Sequence, residues 1–398
     1  MVFQSVKVLF VTREYPPFEV GGVATHTSNL VKGLERLDVC CKIISYGDPK
    51  LSDENVTFIM PSSSINARLN CSLGADAKIP VDIIRLTRKA NSLITKEKFD
   101  IVHVEEPYVG AFVRHKNKVT TIHDTSYGEI RSILNHSLSA VSAKRVLFYV
   151  VLGFYLEFTC LASSTAVIVP SPEVAREVLE VYRTPREKVR IIHNAVNLPN
   201  FSTLVGKAEA KRELGLQTEK LLIFTAGQHI PRKRLDVLLQ AISFIPEEAR
   251  KLQVVIAGDG PLKPYLRELT RKLGLETVVE FPGWVSRDKL ELYYQAADVF
   301  VLTSEYEAGP ISLLEAMSFG AAVVSSRIDG FPRLMRDGVE GLLFAVGDYY
   351  ALNDCIRRLL NDAALRMRMS TSGRLFAERF DWKSVAEDTK NLYESLSQ

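Results

Sequence analysis

The stretch Thr303–Asp329, TSEYEAGPISLLEAMSFGAAVVSSRID, decides the fold class. It follows an apolar run, Val299 to Leu302, that reads as a buried strand. A polar loop leads to Pro310, expected at the first helical position, where a missing N–H costs nothing. The helix beyond is apolar almost all round (Ile311, Leu313, Leu314, Ala316, Met317, Phe319), which marks it as buried. Yet Glu315 sits in its second turn, on the side of Ser312, and a buried carboxylate needs hydrogen-bond partners. Glu307 lies in the preceding loop, so a Glu-x7-Glu pair flanks one helix N-terminus. Free N–H groups and the positive end of the dipole suit a ligand with an anionic centre ringed by hydroxyls, such as a sugar nucleotide. A solvated loop glutamate and a second one satisfied inside the core is the bland alternative.

Strand–helix alternation runs outward from this stretch in both directions. Downstream, Ala322–Ser325 and Gly341–Phe344 read as strands, followed by helices over Tyr350–Leu360 and Ala363–Arg379, a break at 380–382 and a last helix over Ser384–Leu396. Upstream, Leu221–Ala226, Val254–Ala257 and Val278–Phe281 are strands, and a helix over Arg287–Ala297 has Ser286 as its expected N-cap. Further back, Val6–Thr12, Ile43–Tyr46, Thr57–Met60, Ile101–Val104, Val119–Ile122, Ala166–Val169 and Val189–Ile192 form a second set of strands. Such alternation implies parallel, doubly wound sheets, which bind ligands at the carboxyl ends of their strands. Glu105-Glu106 and His123-Asp124 stand at two such ends. Two domains suit 398 residues, and the turn-rich segment Asn197–Gly206 is the expected boundary.

Composition narrows the function classes. A net charge of +3 points to neither nucleic acid nor a strongly charged membrane surface as an obligatory partner. The five cysteines lack CxxC spacing, which fits a reducing compartment and no zinc site. No signal peptide is expected, and the apolar run Val146–Leu156 is well short of the ~20 residues needed to span a bilayer. Lys144 and Arg145 before it leave a peripheral membrane contact open. Arg232, Lys233 and Arg234 crowd a helix N-terminus, where cations oppose the dipole, and an anion bound among them would relieve that conflict. Gly21-Gly22 precede the first helix, though without the spacing of a dinucleotide fingerprint.

Taken in order, Gly21-Gly22, His123, Val169-Pro170-Ser171, Asn194-Ala195-Val196-Asn197, Gly227 with Lys233, Gly258-Asp259-Gly260-Pro261 and Glu307-x7-Glu315 with Gly320 form a set that resembles the retaining glycosyltransferases of the glycogen-synthase-like group, family 4. The resemblance implies the GT-B fold: α/β, two doubly wound, Rossmann-like parallel-sheet domains facing a central cleft. It implies an N-terminal acceptor-side domain over 1–198, a donor-binding domain over 204–380, and a helix over 382–398 that crosses back to the first domain. It further implies that Gly22 and Gly227 approach the donor phosphates and that Lys233 binds the diphosphate. Gly309, Ile311 and Ser312 would cap the distal phosphate with N–H groups. Glu315 would accept from the ribose, Glu307 and His123 would serve the donor sugar, and Val285 would contact the base. Glu307, His123 and Lys233 are thus the implied catalytic set.

The chain departs from the family pattern at Gln228, where an arginine is usual, at Ala195 and Asn197, which replace Gly and Asp, and at Arg333, where Glu is common. Gln228 removes a charge from the diphosphate site, which Arg232 or Arg234 would have to supply. The expectation is therefore a metal-independent, retaining hexosyltransferase with no cofactor, cytoplasmic or peripheral at the inner face of the membrane. It would move a sugar from a nucleotide-diphosphate donor to a glycan, lipid-linked or small-molecule acceptor. A sugar-nucleotide epimerase and a nucleotide-sugar-binding protein without turnover are the alternatives. Base, sugar, acceptor and oligomeric state are not legible.

Overall fold

The computed structural model describes residues 5–18, 22–61, 79–134, 149–199, 202, 204–246, 251–328 and 334–397. Gly21, the irregular stretch 66–78, residues 144–148, Asp329, Gly330 and Arg333 lie outside them. The chain forms two compact units, Met1–Ala195 with Trp382–Gln398, and Val196–Asp381.

Unit 1 is built on strands β1 (Lys7–Val11), β2 (Cys40–Tyr46), β3 (Val56–Ile59), β4 (Ile101–Val104), β5 (Lys118–Thr121), β6 (Ala166–Val169) and β7 (Val189–Ile191). They form one sheet in the order β3-β2-β1-β4-β5-β6-β7, with every pair parallel. Side chains alternate between the faces of a strand. Val8 and Phe10 of β1 therefore enter one core, with Leu30 and Leu34 of the Gly22–Glu35 helix, while Leu9 and Val11 enter the other, with Leu86 and Ala90 of the Ile79–Lys96 helix. The Trp382–Ser397 helix belongs to the first core through Trp382, Val385, Ala386, Leu392 and Tyr393. It packs on the Gly22–Glu35 helix so closely that a Cβ added at Gly33 would lie 2.8 Å from Ala386 Cβ.

The apolar run after residue 148 is helical, but Glu157 continues the helix rather than ending it. The Phe154–Ala162 helix buries Glu157, whose carboxylate accepts from the backbone N–H and hydroxyl of Ser126 and from the Tyr182 hydroxyl. Burial still raises its pKa to about 7. Among the described residues no helix is long and apolar enough to cross a membrane.

Unit 2 repeats the plan with β8 (Leu221–Ala226), β9 (Leu252–Ala257), β10 (Val279–Gly283), β11 (Val299–Leu302), β12 (Ala322–Ser326) and β13 (Leu342–Phe344), in the parallel order β10-β9-β8-β11-β12-β13. Phe300 and Leu302 of β11 face one core and Val299 and Val301 the other. The strand expected at 278–281 runs on through Pro282, tolerated because β10 is an edge strand. The helix after Glu307 spans Ile311–Ser318, so Pro310 is its N-cap rather than its first helical residue. Gly320 closes the helix at φ +82°, its N–H bonding Met317 O at 3.0 Å and that of Ala321 bonding Ala316 O at 2.9 Å, a Schellman end.

Candidate active site

In unit 2 the neighbours of β8 are β9 on one side and β11 on the other, so the winding reverses between β8 and β11. A crevice opens at the carboxyl ends of the strands at such a point. It is lined here by Thr225 to Gln228 at the end of β8, Lys233, Leu235, and Leu302 to Ser304 at the end of β11. The two loops are stitched together: Thr303 Oγ1 donates to Lys233 O at 2.7 Å, and Glu305 N–H to Arg232 O at 2.9 Å. Gly258 backs this corner. At φ +122°, a Cβ there would lie 1.9 Å from Gly227 O, so only glycine lets the turns after β8 and β9 touch.

Glu307 is the hub of the crevice. It is buried, its Oε1 takes the Lys233 ammonium and the Ser304 hydroxyl, and its Oε2 lies 3.0 Å from Arg232 Nη1. Burial pushes its pKa up, but the charges of Lys233 and Arg232 outweigh that and hold it at about 2. The crowding of cations near the Leu235–Ser243 helix is thus relieved within the chain. Arg234 takes no part in the hub: it sits at φ +46° and pairs with Asp236 at 3.1 Å. Gln228 lies half-buried on the crevice wall.

Gly309 and Pro310 lead into the Ile311–Ser318 helix, whose first N–H groups, at Ile311 and Ser312, fall in the turn that lacks intrahelical acceptors. Glu315 is buried on that helix and is ion-paired with Arg287 Nη1. Burial and the charge of Glu315 raise the pKa of Tyr294, while Arg287 Nε holds Glu291 at 2.9 Å. Sequence reasoning missed Arg287. The available signal was its place one residue after the Ser286 cap, at the start of the helix that follows Val285. Ser286 has the N-cap conformation but makes no side-chain capping bond. Val285 is half-buried against the core of this unit.

In unit 1 the winding reverses between β1 and β4. Gly22 begins the first helix, exposed, with open space where a Cβ would be. Glu105 and Glu106 follow β4, and His123 lies just beyond β5. Glu105 is fully buried. Its Oε2 accepts from His123 Nε2 at 3.1 Å and lies 3.3 Å from His26 Nδ1, without hydrogen-bond geometry to the latter. His26 and His123 meet edge to face at 4.6 Å. These three are a further feature the sequence did not reveal: their ligand atoms lie within 4.8 Å of one another, the separation of a metal set made of two histidines and one carboxylate. The hydrogen bond from His123 already engages the shared oxygen. Glu106 instead binds Arg13, through the guanidinium at 3.0 Å and the backbone N–H at 2.9 Å.

Known proteins share this organisation. Residues 20–199 match the family model described as Glycosyltransferase Family 4, and residues 206–376 match Glycosyl transferases group 1. An uncharacterised glycosyltransferase of Methanocaldococcus jannaschii is 28% identical over 98% of both chains. Sucrose-phosphate synthase of Thermosynechococcus elongatus superposes with a TM-score of 0.80 over 99% of both chains, at 20% identity. HepE of Anabaena, solved in complex with UDP-glucose, superposes at 0.72 over 98% of this chain and 99% of its own, at 18% identity. With two parallel-sheet units and both halves matched, the chain belongs to the GT-B glycosyltransferases that join a family 4 half to a group 1 half.

Proposed function

We propose that the protein is a retaining, metal-independent glycosyltransferase that takes its sugar from a nucleotide-diphosphate donor held by unit 2. The observation that carries this is the hub at the β8/β11 switch point, where Lys233, Arg232 and Ser304 converge on Glu307 beside the N-terminus of the Ile311–Ser318 helix. A diphosphate can take Lys233 and the N–H groups of Gly309, Ile311 and Ser312, with Gly22 and Gly227 allowing close backbone approach. Arg232, rather than Arg234, stands in for the charge missing at Gln228. Glu307 and His123 are assigned to the sugar hydroxyls, Glu315 to the ribose and Val285 to the base. Catalysis is then positioning plus electrostatic stabilisation of the departing diphosphate. The acceptor, a glycan, a lipid-linked sugar or a small molecule, is assigned to unit 1.

The UDP-glucose complex of Anabaena HepE makes UDP-glucose the first donor to try. A thermal-shift panel of UDP, GDP, ADP and their sugars tests the binding half: ligand at ~100-fold its Kd adds roughly 2.7 kcal/mol. Proton NMR of the glycoside formed tests the stereochemistry. Stabilisation by none of the nucleoside diphosphates, or an inverted anomer, defeats the proposal.

A further inference from the structure

Among the described residues, the Glu105 carboxylate has one side-chain donor with hydrogen-bond geometry. His103 of β4 is already committed, with Nδ1 2.5 Å from the Tyr393 hydroxyl and Nε2 2.7 Å from Thr121 Oγ1. Burial holds it neutral, with a pKa of about 4. Arg13 is bound to Glu106. From the first helix His26 reaches Glu105, and its ring is wedged between His123 and Trp382, the latter 5.2 Å away. A carboxylate withdrawn from water needs an opposite charge. His123 is less deeply buried than His26, and among the described residues it alone donates to Glu105 from a side chain with hydrogen-bond geometry.

We propose that Glu105 is a positioning residue for His123: it accepts the Nε2–H, leaves Nδ1 as the ring's working edge, and so sets the orientation on which turnover depends. The proposal rests on the assignment of His123 to the donor sugar. A carboxylate on one nitrogen fixes which edge of an imidazole is offered to a ligand. The titration behaviour agrees. Burial alone would lower the pKa of His123, but the bond to Glu105 and the charges of Glu105, Glu106 and Asp124 raise it above 6.5, whereas burial lowers that of His26. Below its raised pKa, His123 is an imidazolium whose Nδ1–H donates. As the pH rises through that value the donor is lost, and turnover falls with it.

The test compares the wild type with Glu105→Gln and Glu105→Asp in the full chain. Long-range proton–nitrogen NMR on histidine-labelled protein follows His123, assigned by its absence from His123→Asn. Wild-type His123 should titrate above 6.5, and Glu105→Gln should lower that by about one pH unit or more. kcat, read as release of nucleoside diphosphate from the donor the panel selects, should fall about tenfold or more, its alkaline limb moving with the titration. Nucleoside diphosphate affinity should stay unchanged, and Glu105→Asp should restore part of kcat. A wild-type His123 whose neutral ring carries its proton on Nδ1 rather than Nε2 overturns the proposal whether or not the variants fold. So does a Glu105→Gln that leaves kcat unmoved, or a wild-type profile that shifts with added Zn2+ and returns on chelation, which would make the trio metal ligands. Failure of every nucleoside diphosphate to bind would sink the functional assignment instead, without touching the NMR result.

Discussion

Lys233 and Glu307, separated by 74 positions, form a buried ion pair at the reversal point of the second sheet. Because Glu307 is held at about 2 against an ordinary 4.5, the unfolded chain takes up its proton first as the pH falls. Its stabilisation is therefore complete above about 4.5 and is lost toward 2, an amount on the order of 3 kcal/mol. Wild type should exceed Glu307→Gln in stability at neutral pH, and the gap should close in acid. Urea melts across that range check this, and a gap independent of pH would show that the pair contributes nothing through ionisation.

The two glutamates of the motif should separate in ligand titrations. Glu315→Ala should weaken free nucleoside diphosphate and its sugar alike, by about 10- to 150-fold, the worth of a hydrogen bond to a charged group. Glu307→Ala should leave nucleoside diphosphate affinity near wild type, since it frees Lys233 and Arg232 for phosphate, but should lower kcat by misplacing the sugar. Arg287 makes the Glu315 effect partly indirect, because Glu315→Ala removes one of the two carboxylates that hold its half-buried guanidinium. Arg287→Gln should therefore cost less nucleotide affinity than Glu315→Ala. Calorimetric titration with the nucleoside diphosphate alone decides, and an equal loss in the two glutamate variants would mean the ends of the motif are wrongly assigned.

Much of this was legible because buried parallel strands are short, apolar and alternate with helices. The runs at 101–104, 166–169, 221–226 and 299–302 coincide with strands residue for residue. What was not legible is pairing across the fold. The basic run 232–234 reads as a single cluster, yet backbone φ of +46° turns Arg234 toward Asp236 while its two neighbours reach Glu307. Likewise nothing local marks Glu105 as the partner of His26 and His123, since 79 and 18 positions of chain separate them. The short helices at Lys207–Glu213 and Pro107–Gly110 also escaped, the latter because four residues carry no periodicity.

The last helix should be integral to unit 1. Tyr393 is fully buried and its hydroxyl partners His103 Nδ1. Tyr393→Phe should cost about 1–3 kcal/mol by leaving that nitrogen unsatisfied. Ending the chain at Arg379 should do more, uncovering Leu30 and Leu34 as well. Denaturant unfolding measures both, and a truncated chain as stable as the intact one would reduce the helix to a dispensable tail.

Turnover should survive exhaustive chelation. Lys233, Arg232 and the helix N-terminus already supply positive potential where the diphosphate is assigned, the role a divalent ion plays elsewhere. Dialysis against EDTA followed by a donor-release assay checks this. Loss of activity restored by one divalent ion would refute it.

Two glycines should part company. Gly258→Ala places a methyl group 1.9 Å from Gly227 O at φ +122°, so the turn after β8 must move. Stability and nucleoside diphosphate affinity should both fall. Gly22→Ala meets nothing within 4 Å among the described residues, and an alanine suits a helix at least as well as a glycine. Its melting temperature should hold or rise slightly. If the backbone at Gly22 is the surface that the donor phosphates approach, the added methyl should nonetheless raise KM for the donor while leaving the fold untouched. A Gly22→Ala protein with unaltered donor kinetics would remove Gly22 from the site, whatever Gly258→Ala does to the other unit.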